Sequence, residues 1–243
     1  MNRNTRLTQT FIGVMVLAAT ASTACASLRS HTLHTSYALA VLALAGVTSR
    51  MKIKLPGING NMSVNLPFLL MAVVSLSALE AIVIACLSAV VQCWPRTKAN
   101  FKSQQMLFNV SMMAFASSMA NLIWNAGWLG KGAWASEPLM LASATTAFFL
   151  GQTAPVAGII KLAEGAAMRR VWMGIVQLSF PYYVLSAGMT SMVNLVKLHF
   201  GWQAALVLFP VMYGIHCSYR LYFGSEAEAL SAPMLARKAS AGR

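Results

Sequence analysis

The sequence predicts an all-α membrane protein, a polytopic helical bundle of about eight membrane segments, two of them short and paired as a hairpin. Three observations carry this. Of 243 residues, 58% are hydrophobic and 9% charged, against about 25% charged in soluble domains, too few charges for a water-facing surface. The apolar residues gather in runs split by short polar connections, and a bilayer core about 30 Å thick needs roughly 20 helical residues per crossing. The 18 Lys and Arg residues fall between those runs, where the positive-inside rule reads them as topology signals.

In chain order the segments lie at 9–28, 34–49, 66–79, 80–94, 105–127, 138–160, 171–196 and 200–219. The first competes with a signal-peptide reading, because Arg3 and Arg6 precede an apolar run ending in the small-x-small site Ala24-Cys25-Ala26. The length of the run and its small side chains from Ala18 to Ala26 suit a retained span that packs in a bundle. After the second segment, the stretch from Met51 to Pro67 alternates on either side of Pro56, Gly57, Asn59 and Gly60. That composition fits a small β-hairpin at the membrane interface and, equally, an irregular polar loop.

Leu66 to Trp94 reads either as one long tilted helix or as two short ones turning at Ser75-Leu-Ser-Ala-Leu-Glu80. Charge decides between them. With two crossings the cytoplasmic set is Arg3, Arg6, Arg50, Lys52, Lys54, Arg96, Lys98, Lys102, Lys161, Arg169, Arg170, Arg220, Arg237, Lys238 and Arg243, leaving only Arg29, Lys131 and Lys197 outside. One crossing would change the split from 15 against 3 to 11 against 7. The hairpin therefore satisfies the rule, puts both chain ends in the cytoplasm, and sets Glu80 near the outer face, where its carboxylate reaches water or a polar partner.

Residues 1–223 then form one integral membrane domain, and 224–243 a short cytoplasmic tail. The lipid bilayer is the first expected partner. Asn109, Ser117, Asn121 and Asn125 recur at multiples of four in the fifth segment, which puts them on one slowly drifting helix face. Such a stripe is either the wall of a binding cavity or helix-to-helix hydrogen bonding, the latter worth about 0.6 kcal/mol per pair. Gln152, Thr153 and Pro155 interrupt the sixth segment, and Gln177, Ser179 and Pro181-Tyr182-Tyr183 the seventh. Helix breaks persist only where protein or water satisfies the freed backbone. Glu80, Asn109, Ser117, Asn121, Asn125, Gln152, Gln177, Tyr182 and Asn194 are thus the candidates to line a pocket for a small, weakly polar ligand.

Other chemistries lack their residues. The five acidic residues are all glutamates, so Mg²⁺ clusters and Ser-His-Asp triads have no aspartate to use. Cys25, Cys86, Cys93 and Cys217 contain no CxxC pair and read as small buried hydrophobes. His31 and His34 lack cysteine or acidic companions, so no metal site is expected. His216, in the last segment, is a proton sensor or a hydrogen-bonded interfacial residue. Nucleotide, metalloprotease, nucleophile-elbow and kinase motifs are absent, and no cofactor or enzymatic activity is expected. The net charge of +13 is dispersed between apolar runs, unlike a nucleic-acid surface. Trp94, Trp124, Trp128, Trp134 and Trp172 fall at segment ends, as interfacial anchors do.

Three stretches together carry a family resemblance: Leu55-Pro56 through Leu66-Pro67 leading into the short helix pair, Phe108-Asn109-x-Ser111, and Phe209 through Phe223 with its Ser218-Tyr219-Arg220-Leu221-Tyr222 exit. They resemble the multi-span N-terminal membrane domain of bacterial HD-GYP, GGDEF and histidine-kinase signalling proteins. The resemblance implies a sensor or anchor in the bacterial inner membrane, with His216, Tyr219, Arg220 and Tyr222 where a signal would leave the bundle. The chain departs from that pattern after Tyr222, since Phe223 to Arg243 are fewer than the roughly 100 residues an output domain needs. A cytoplasmic signalling partner in trans is therefore expected. The residue reading by itself leaves a small-molecule carrier as the alternative, and the Ser218–Tyr222 exit is sufficient as an ordinary span end, with aromatics flanking a boundary arginine.

Overall fold

The computed structural model describes residues 3–29, 35–54, 61–95, 103–126, 137–219 and 221. They form helices α1 (Arg3–Arg29), α2 (Thr35–Ser49), α3 (Leu66–Ser75), α4 (Ala78–Cys93), α5 (Ser103–Trp124), α6 (Glu137–Glu164), α7 (Met168–Phe200) and α8 (Ala204–Tyr219). One 3-10 turn, Gly201–Gln203, joins the last two. Two three-residue strands, β1 (Lys52–Lys54) and β2 (Asn61–Ser63), pair antiparallel with Lys52 opposite Ser63 and Lys54 opposite Asn61. The connection at 55–60 and the tail at 224–243 lie outside the described residues.

Three helices are long and apolar enough to cross a membrane: α1 over Thr5–Leu28, α5 and α6. The apolar helices α2, α3, α4 and α8 are shorter. At 1.5 Å per residue, the 10 residues of α3 extend only about 15 Å, half of a bilayer core.

Local chemistry sets the ends. Pro67 stands in the first turn of α3, where its missing N–H costs nothing and its fixed φ suits a helix. Ser77 caps α4 in a reciprocal box: its hydroxyl accepts from the Glu80 backbone N–H at 3.4 Å, while the Glu80 carboxylate accepts from the Ser77 backbone N–H at 3.0 Å and its hydroxyl at 2.7 Å. Gly201, at φ +59°, ends α7 in a conformation that side chains with a Cβ resist.

The core is built around α3. Every residue from Leu66 to Val73 is buried, enclosed by α2, α4, α5 and α7. A helix apolar on all sides is stable only when so surrounded. On the flank, α5 packs against α1, α4 and α6, and α6 against α7.

The segment from 65 to 94 enters and leaves at the same end of α2. The Asn65 amide donates to the Ser49 hydroxyl at 2.9 Å, and one Arg50 guanidinium nitrogen donates to the Val91 and Trp94 carbonyl oxygens at 3.2 Å each. The chain turns back at Leu76 and Ser77, between α3 and α4, within the expected Ser75–Glu80 stretch, where Ser77 provides the cap.

Two expected interruptions are corrected. Both α6 and α7 continue as helices through Pro155 and Pro181. Each proline removes one i to i−4 hydrogen bond, while the bonds on either side hold the helix. Nearby hydroxyls also point back along the helices, Thr153 to Phe149 O and Ser179 to Ile175 O, at 2.8 and 2.6 Å.

Candidate functional site

Among the described residues, several polar side chains inside the bundle gather in three groups, each at a crossing of helices. At the first, the α5 stripe meets the α3–α4 hairpin. The Asn121 amide donates to the Val73 carbonyl at 3.0 Å, satisfying an acceptor near the end of α3. Asn125 donates back to the Asn121 carbonyl at 2.9 Å and side-chain oxygen at 3.1 Å, and Asn109 donates to the Cys93 sulfur at 3.2 Å. Ser117 is 1% exposed. The stripe is therefore mainly a seam between helices, and Asn125 at its end is exposed.

At the second crossing, Gln152 of α6 stands between α5 and α7. Its side-chain nitrogen contacts the Met113 sulfur at 2.6 Å, and its oxygen accepts from the Tyr183 hydroxyl. One residue along, the Thr153 hydroxyl accepts from the Trp172 indole N–H at 3.3 Å. The Phe149 ring meets Tyr183 edge-on, with centroids 4.8 Å apart, and closes the group off with carbon.

The third group surrounds the start of α3. The Leu66 backbone N–H donates to the Tyr182 hydroxyl at 3.1 Å, and the Thr190 hydroxyl, which donates to the Ser186 carbonyl of its own helix at 2.8 Å, also stands 3.3 Å from the Pro67 carbonyl. The Ser63 hydroxyl donates to the Asn65 side-chain oxygen at 2.8 Å, so Ser49, Asn65 and Ser63 form a buried polar chain. A half-length helix is thereby fixed by its entering end to both α2 and α7.

The remaining candidates lie apart. Glu80 is held by the α4 cap, which gives the carboxylate a local role. Asn194 donates to Glu137, and the Lys197 ammonium stands 4.3 Å from the Tyr37 ring centre, a cation–π contact between α7 and α2. Gln177 is exposed on α7, apart from the three groups. His216 and Tyr219 are half-buried on α8, with Tyr219 packed against the main core. Arg220, Tyr222, His31 and His34 lie outside the described residues.

Sequence reasoning missed Ser49, Ser63, Asn65 and Thr190. Asn65 had a usable signal, since Asn ahead of Leu-Pro at the head of an apolar run is a helix-start pattern. Thr190 had none, because the carbonyl it meets on α3 is 123 positions away.

A groove of about 790 Å³ runs between α5 and α6, lined by residues such as Phe115, Met119, Ile123, Leu139, Ala147 and Ala154, and includes none of the candidates. Among the described residues no three His, Cys, Asp or Glu side chains gather where a metal ion could sit. No family model matches the chain, nor does any curated protein or solved structure.

Proposed function

We propose that the chain is a non-enzymatic sensor or anchor module: eight helical segments in a bacterial inner membrane, both termini cytoplasmic, acting through a signalling protein in trans. One observation supports this above others. Asn121, Gln152 and Tyr182 are committed to hydrogen bonds that tie helices together, and the apolar groove excludes them. Polar side chains used in this way serve a fixed bundle better than a substrate path. The 15 basic residues assigned to one side support the orientation, and the Ser218 to Tyr222 exit supports the family reading.

The longest helix, α7, gives the module a means of transmission. Its residues touch Tyr37 and Glu137 near one end through Lys197 and Asn194, and Thr153 near the other through Trp172. A shift at one end would be carried along a single helix held at several points.

Native-membrane co-purification tests the proposal. A cytoplasmic signalling protein should be recovered with the full chain and lost when Tyr219 and Arg220 are both replaced by alanine. Recovery of no such protein from native membranes counts against the reading.

A carrier is the second reading, favoured by α3, a buried half-span of the kind seen at transporter sites. Proteoliposome uptake of a metabolite, lost in Asn121→Leu, would support it. A flat profile over a broad panel would exclude it.

A further inference from the structure

The groove between α5 and α6 has a shape and a charge pattern that specify an occupant. The two helices touch where Gly151 meets Ala116, so closely that a Cβ at 151 would stand 3.0 Å from the Ala116 Cα. Away from that contact they leave about 790 Å³ between them. The lining is nearly all carbon. Its two hydroxyls, Ser143 and Thr146, donate to carbonyls of their own helix, Leu139 O and Ala142 O, at 2.8 Å each. An occupant would therefore meet no hydroxyl hydrogen seeking an acceptor. Leu139 and Leu150 on the rim are 48% and 44% exposed, so the groove opens sideways, towards lipid in a membrane-embedded bundle.

The charge lies on the same stripe. At about 100° per residue, Ser143, Leu150, Ala154 and Lys161 of α6 fall within about 40° of one another. Lys161 stands about 10 Å beyond Ala154 along the axis, is exposed, and is followed at the start of α7 by exposed Arg169 and Arg170. Glu164 is the one acidic residue in this turn. A carbon-lined channel leading to a basic end matches a long apolar chain with an anionic head.

We propose that this groove binds an anionic phospholipid, with one acyl chain between α5 and α6 and the phosphate at Lys161. The inference rests on the membrane placement given above. The flexible lysine stem lets the ammonium reach the headgroup level while its methylenes stay against carbon, and the neighbouring arginines raise the local attraction for anions.

Native mass spectrometry of the purified full chain tests it, using micelles doped with phosphatidylglycerol or with phosphatidylcholine of the same acyl chains. The wild-type chain should retain phosphatidylglycerol about fivefold more, the size expected of one basic side chain near an anionic surface. Lys161→Gln should lower phosphatidylglycerol retention most of the way to the phosphatidylcholine level, leaving only the smaller attraction of Arg169 and Arg170, and an unchanged preference would overturn the proposal. Ala147→Phe, which fills the groove, should lose both, and Ala142→Phe, at an exposed groove position, provides a second test should the first variant not fold. Equal retention of the two lipids by the wild-type chain, or full retention by the folded groove-filled variants, would overturn the proposal. So would a dimer that disappears on filling the groove, since the occupant would then be a second copy. Carbonate extraction separates the two levels of inference: a chain extracted from membranes refutes the membrane placement, whereas one retained there without lipid preference refutes the lipid site alone.

Discussion

Replacing Tyr182 by phenylalanine isolates the contact that fixes α3. The ring is 2% exposed, and the substitution keeps its volume, so packing changes little. What is lost is the oxygen that accepts from the Leu66 N–H at 3.1 Å. Leu66 is 3% exposed, and its N–H belongs to the first turn of a helix, where no preceding carbonyl can replace the partner. A buried donor left without an acceptor costs about 1–3 kcal/mol. This exceeds the roughly 0.6 kcal/mol average for a membrane interhelical bond, because the orphan is a backbone group enclosed by helices. The folding equilibrium should fall about 5- to 150-fold, measured by titrating mixed micelles of the full chain with dodecyl sulfate and following tryptophan fluorescence. Asn125→Ala serves as the control, since Asn125 is exposed and bonds only within its own helix, with an expected change below about 0.5 kcal/mol. A Tyr182→Phe chain within about 0.5 kcal/mol of wild type would refute the claim that this hydrogen bond anchors α3.

Gly151→Leu should destabilise the bundle by about 1–3 kcal/mol, since even a Cβ would stand 3.0 Å from Ala116; the same titration reads it. Arg50→Met removes donors from the Val91 and Trp94 carbonyls, and hydrogen exchange at the last turn of α4 should speed up while that of α3 stays near wild type. In a cysteine-free background, thiols placed at Met51 and Pro95 should react with an impermeant reagent from the same side of sealed vesicles, because both flank the Arg50 contact; labelling from opposite sides would exclude the hairpin. Glu80→Ala should cost about 1 kcal/mol through loss of half the α4 cap, whereas Glu80→Gln, which keeps an acceptor oxygen, should cost less, again by micelle titration.

Much of the helical layout was legible because it depends on local chemistry. The apolar run at 105–127 became α5 at Ser103–Trp124, and that at 138–160 became α6 at Glu137–Glu164. The pair of short helices was legible, and its turn falls at Leu76 and Ser77, inside the expected Ser75–Glu80 stretch, where a capping box sets Ser77 and Glu80 three residues apart. Proline was a poorer guide. Pro155 and Pro181 stay within helices, since packing against neighbours compensates for single missing bonds. The sequence named many of the polar residues inside the bundle, but their partners were not legible. Gln152 meets Tyr183, and Asn121 meets Val73, whereas Gln177 is exposed.

By itself the sequence determined that the chain is helical and apolar enough to enter a membrane, since hydropathy and charge act on the scale of a single segment. Only the tertiary structure decided that α3 is a half-length helix buried on every side, and that Tyr182 holds its entering end with Thr190 beside it. The partners there are backbone groups more than 100 residues distant. Every residue carries such groups, so no side-chain pattern marks which N–H or carbonyl a neighbouring helix will reach.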